Sequence, residues 1–119
     1  MMEIFQEFRF DAAHHFPAME GGHKYGGVHG HSFTARVTIA GTPDTDTGFV
    51  VDLGALERAC AGLRALLDHA YLNDIEGLAL PSLENIAVWI WGRLAPAFPG
   101  LAQVDVRRDS SGHGCSYRG

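Results

Sequence analysis

The chain has 119 residues, 46% hydrophobic and 19% charged, with a net charge of −5. That is an ordinary globular composition, and its acidic balance gives nucleic-acid binding no electrostatic support. The length predicts one domain over 1–119, and no stretch approaches a membrane span. The two cysteines, Cys60 and Cys115, form no CxxC pair and no disulfide framework, which fits a reducing cytoplasm. The opening Met-Met-Glu-Ile has no basic stretch leading into an apolar one, so no leader peptide is expected.

Residues 2–11 alternate, with Ile4, Phe8 and Phe10 on one face and Glu3, Glu7, Arg9 and Asp11 on the other. This predicts a half-buried strand, with Phe5 and Gln6 outside the pattern. Ala12-Ala13-His14-His15 follows, then a glycine-rich loop. Residues 31–40 alternate most cleanly: His31, Phe33, Ala35, Val37 and Ile39 share a face opposite Ser32, Thr34, Arg36 and Thr38. Residues 41–48 are a turn by composition, and Phe49-Val50-Val51 reads as a short strand. Asp52 is a good cap for a helix whose stripe is Leu53, Leu56, Cys60, Leu63 and Leu67. Ser82 can cap a second helix with the stripe Leu83, Ile86, Ala87, Ile90 and Leu94, and Glu84 suits its positive first turn. Residues 101–108 and 113–118 read as two closing strands. The order predicts an α+β domain, antiparallel hairpins with both helices between them on one sheet face. Open sheet edges in such a fold must be blunted, covered or paired, so an oligomer is expected.

The stretch His23-Lys24-Tyr25-Gly26-Gly27-Val28-His29-Gly30-His31 carries the strongest chemical signal. Period-two geometry sends His29 and His31 to one face, and either His14 or His15 can arrive from the earlier strand. Three imidazoles with one position left open are the ligand set of a catalytic zinc. Asp68-His69 is a second candidate, since a carboxylate beside an imidazole fixes its tautomer and raises its basicity. Helix-end chemistry explains that pair equally well. Turn chemistry accounts for Asp109, packing for Trp89 and Trp91, and solvated surface for Lys24, Arg107 and Arg108, each of which could also meet a phosphate.

Taken together, Phe10-Asp11-Ala12-Ala13-His14, Gly22-His23-Lys24, His29-Gly30-His31-Ser32-Phe33, Leu67-Asp68-His69-Ala70-Tyr71-Leu72-Asn73-Asp74, Pro81 with Glu84-Asn85, and the ending Gly114-Cys115-Ser116-Tyr117-Arg118-Gly119 resemble the 6-pyruvoyl-tetrahydropterin synthase family. The resemblance runs nearly end to end and is nearest the bacterial 6-carboxytetrahydropterin synthases of queuosine biosynthesis. It implies a tunnelling fold: a four-stranded antiparallel sheet with two helices on one face, joined by trimers into a barrel and by two trimers into a hexamer. Active sites between subunits are implied too. The family pattern puts zinc on His14, His29 and His31, and assigns proton transfer to Asp68 and His69. It sets Ser82 at a usual threonine of the pterin pocket and Asp109 at a usual glutamate that anchors the pterin. The implied substrate is 7,8-dihydroneopterin triphosphate, with loss of triphosphate and, in the bacterial branch, of acetaldehyde. One departure stands out. The family's catalytic cysteine lies four residues before the first histidine of His-Gly-His, and that position is Tyr25. A phenol near pKa ~10 is mostly protonated where a thiolate would be available. Tyr25 therefore shares the predicted proton transfer with Asp68 and His69, or marks altered side-chain chemistry or a non-catalytic zinc- and pterin-binding protein.

Overall fold

A computed structural model describes residues 1–19 and 26–119. Two long strands, β1 (Met2–His14) and β2 (His29–Gly41), pair antiparallel in an unbroken register from Met2 opposite Gly41 to His14 opposite His29. Helices α1 (Leu53–Leu67) and α2 (Leu83–Leu94) follow, then β3 (Leu101–Arg108) and β4 (His113–Tyr117). The sheet runs β1-β2-β3-β4, antiparallel throughout. This is the expected four-stranded sheet with two helices.

The alternation predicted for the strands is what seats the core. Phe8, Phe10, Ala12 and His14 of β1 are buried, as are Phe33, Ala35, Val37 and Ile39 of β2 and Val104 and Val106 of β3. Leu56, Cys60, Leu63 and Leu67 of α1 and Ile86, Ala87, Ile90 and Leu94 of α2 close over them. Both helices begin at the caps expected from sequence: the Asp52 carboxylate accepts from the backbone N–H of Gly54, and the Ser82 hydroxyl from that of Asn85.

Phe49-Val50-Val51 is not a strand. Both edges of β2 are already filled, by β1 and β3, and the preceding segment closes on itself. The Asp44 carboxylate accepts from the N–H groups of Asp46 and Thr47, and the Phe49 carbonyl accepts from the N–H of Asp44. Asp52 then starts α1 at once, so the apolar pair Val50-Val51 packs against the core without joining a ladder.

Candidate metal centre and catalytic site

The antiparallel register brings the site together. His14 faces His29 across the β1–β2 ladder, and His31 faces Ala12, one step along on the same side of the sheet. The ligand nitrogens of His14, His29 and His31 lie within 4.8 Å of one another. Beneath them, Phe33 packs edge-on against both His14 and His31 at 5.7 Å and stacks on Phe10 at 4.9 Å. An apolar floor of this kind holds imidazoles in place and lowers the local dielectric.

Two backbone carbonyls orient the rings. His14 Nδ1 donates to the Pro81 carbonyl at 2.9 Å, and His29 Nδ1 donates to the Gly27 carbonyl at 2.8 Å. Each bond sets the tautomer that leaves the Nε2 lone pair for a ligand. His14 is 1% exposed, and its Nε2 has no hydrogen-bond partner among the described residues. Burial, with the positive charges that His29, His31 and Arg108 can carry, takes the His14 pKa down to about 4. Burial and the Arg108 guanidinium also lower that of His31. His14 is therefore a neutral imidazole at pH 7 with a buried, unmatched acceptor. That is the donor chemistry a divalent zinc requires, and the three residues fit it.

The Asp68-His69 pair occupies the turn that ends α1. His69 has a backbone φ of 58°, a left-handed conformation uncommon for a residue with a Cβ. The turn is sewn to β1: the N–H of His69 donates to the Asp11 carbonyl at 2.6 Å, and that of Ala13 to the Ala70 carbonyl at 3.0 Å. The Asp68 carboxylate accepts from the Asp11 N–H at 2.9 Å and from His69 Nδ1 at 3.0 Å, with Arg64 Nη2 at 3.2 Å. The backbone N–H of Asp11, then His69 and Arg64, hold its carboxyl below the usual range. A strained turn presenting an oriented, solvent-facing imidazole has the character of a functional site. His69 and His31 both line one open cavity of about 590 Å3, together with Asp11, Ser32 and Ser110, a volume in the range of small-molecule pockets.

The other expected residues fall differently. Tyr25 and Lys24 lie outside the described residues. Ser82 caps α2 beside Pro81, whose carbonyl holds His14. Asp109 is not brought to the histidines within one chain. It accepts from Thr34 Oγ1 at 2.9 Å and Arg107 Nε at 2.8 Å. Those partners sit on the ladder row Arg9–Thr34–Arg107, whose side chains face away from the neighbouring row Phe10–Phe33–Arg108. Cys60 is buried in the α1 stripe, where burial pushes its thiol up to about 11, and burial also raises Cys115. Sequence reasoning missed the Pro81 and Gly27 carbonyls, which carry no side-chain signal. It also read Arg108 as solvated surface, although Val104, Val106 and Arg108 alternate onto the core face.

The sequence profile described as 6-pyruvoyl tetrahydropterin synthase matches residues 3–119. The chain belongs to that family. It is 44% identical over 112 residues to a Synechocystis protein named 6-carboxy-5,6,7,8-tetrahydropterin synthase, covering 89% of this chain and 85% of the relative. A Pyrococcus furiosus protein named dihydroneopterin monophosphate aldolase is 36% identical over 91 residues, covering 76% and 73%. The solved Caenorhabditis elegans 6-pyruvoyl tetrahydropterin synthase superposes with a TM-score of 0.87 over 99% of this chain and 95% of its own, at 22% identity, a likeness of fold.

Proposed function

We propose that this chain is a zinc-dependent 6-carboxy-5,6,7,8-tetrahydropterin synthase, a carbon–carbon lyase acting on 7,8-dihydroneopterin triphosphate. The observation that carries the reading is the buried, neutral His14 meeting His29 and His31, in a chain 44% identical to a relative of that name. Zinc held by these three residues would supply Lewis acidity, making C–H bonds next to the substrate's side-chain oxygens easier to deprotonate. The chain's own residues do the rest. Asp68 holds the proton on His69 Nδ1, which leaves Nε2 free to take a proton from a ligand in the shared cavity. Proton loss then expels triphosphate, and a water molecule adds to the side-chain carbon next to the ring as the bond beyond it breaks; the water supplies the second oxygen of the carboxylate left at the pterin 6-position, and the two outer carbons leave as acetaldehyde. Tyr25 stands at the family's cysteine position and shares the proton transfer; neither Cys60 nor Cys115, with their raised pKa values, offers a thiolate in its place. Ser82 carries over as a substrate contact by family position, and Lys24 is proposed as one because its cation could meet a phosphate. Asp109 also carries over by family position, but would have to exchange its bonds to Thr34 and Arg107 to act as a contact. The open edges left by β1 and β4 favour a homo-oligomer, and the family pattern makes it two stacked trimers.

A second reading has its own support. Tyr25 removes the thiol, and the aldolase-named relative favours altered cleavage of a dihydroneopterin side chain without full triphosphate elimination. Incubating zinc-loaded protein with 7,8-dihydroneopterin triphosphate and identifying the products separates the two. Triphosphate, acetaldehyde and 6-carboxytetrahydropterin together support the synthase, and binding without turnover would sink both. A Tyr25→Cys variant that gains strongly in turnover would show that the phenol limits the synthase reaction.

A further inference from the structure

Arg108 stands out among the arginines near the site. Arg9, Arg36, Arg64 and Arg107 each lie within ion-pair distance of a carboxylate. Arg108 has no such partner among the described residues. Its register partner is Phe33, so it emerges on the histidine face of the sheet. Its Nη1 lies 3.4 Å from His31 Nε2 and its Nη2 3.4 Å from His113 Nδ1, both at the long limit of a hydrogen bond. Its Nε is buried and has no hydrogen-bond partner among the described residues.

A guanidinium keeps its charge at any working pH, and desolvating it without an acceptor is costly. Two long contacts to imidazoles neither neutralise nor lock it. Asp11, the carboxylate that lines the neighbouring cavity, accepts from Ser32, and Asp68 nearby accepts from the Asp11 N–H and His69. A divalent ion on the three histidines would add two more positive charges next to Arg108. An anion is what this arrangement lacks.

We propose that Arg108 is a specificity-determining residue that takes an oxyanion of the ligand, carboxylate or phosphate, beside the histidine cluster. The planar fork of nitrogens suits either group in a paired geometry, which a point charge does not reproduce. The inference rests on the pterin reading for the ring that carries the anion, not for the anion itself.

The test titrates zinc-loaded protein with 6-carboxypterin, with neutral 6-hydroxymethylpterin and with inorganic tripolyphosphate, by calorimetry. Wild-type protein should prefer 6-carboxypterin to the neutral pterin by about tenfold or more, or bind tripolyphosphate, and Arg108→Gln should lose that margin with zinc content intact. Preference for the carboxylate alone identifies that group as the anion, and tripolyphosphate binding identifies phosphate. Arg108→Lys, which keeps the charge, should restore only part of the margin, and it replaces the glutamine variant if that one does not fold. Equal binding of the anions by wild type and variant, or no anion binding by wild type, overturns the inference. Absence of lyase products with Arg108-dependent anion binding intact would refute the proposed reaction and leave the inference standing.

Discussion

The imidazole of His14 is held neutral by its surroundings, and this has a pH consequence for the metal-free protein. Its pKa falls from 6.5 to about 4 on folding, so the unfolded chain binds the extra proton between those values. Stability from this group is complete above about 6.5 and is lost as the pH falls toward 4, by about 3 kcal/mol in total. Denaturant melts of the apoprotein across that range should show the decline, and a His14→Gln variant should flatten it. In the folded chain the same proton competes with metal only near its lowered pKa, so zinc retention should fall as the pH drops through about 4. His31→Ala should abolish tight zinc binding, measured as metal per chain after dialysis, whereas His15→Ala should keep it. At His69 the backbone, not the side chain, is under strain. His69→Gly relieves the left-handed conformation, so its melting temperature should match or exceed the wild type while turnover drops by about 10²-fold or more. A parallel loss of stability and turnover would make the residue structural.

At the scale of elements, the helices and the histidine face were legible because each depends on local periodicity. The stripe from Leu53 to Leu67 and the cap at Asp52 need nothing beyond their own neighbours. Asp52→Ala should accordingly cost about 1 kcal/mol in a denaturant melt and leave turnover unchanged. Phe33, whose ring contacts Phe10, His14 and His31, couples the core to the site. Phe33→Leu should lower both stability and zinc affinity, unlike Asp52→Ala. What was not legible depended on long-range register. Val50 and Val51 have strand composition, but whether a ladder edge is available to them is decided by β3, fifty residues on. Asp109 and Arg108 are adjacent in sequence, and only the pairing of β3 with β2 decides which faces the histidines.

For the whole molecule, the polar side of the sheet carries a ladder of charges in which Glu7 meets Arg36 at 2.9 Å and Arg107 at 3.5 Å. β1 and β4 stand at the two edges of the sheet, where the proposed oligomer would pair them with neighbouring chains. The expected species in solution is a hexamer of about 77 kDa from chains of 12.9 kDa, and sedimentation equilibrium reports it directly; a monomer retaining full turnover would contradict it. The β1–β2 ladder also bears on how such an enzyme can diversify. All three zinc-type ligands hang from one hairpin whose register runs without a break down to His14 and His29. Tyr25 lies in the connection between the two strands, apart from the ladder that sets His14 opposite His29, while Gly27, nearer β2, holds the His29 ring. In the proposed reading, a change at position 25 alters the reaction chemistry without touching the paired residues that would hold the metal.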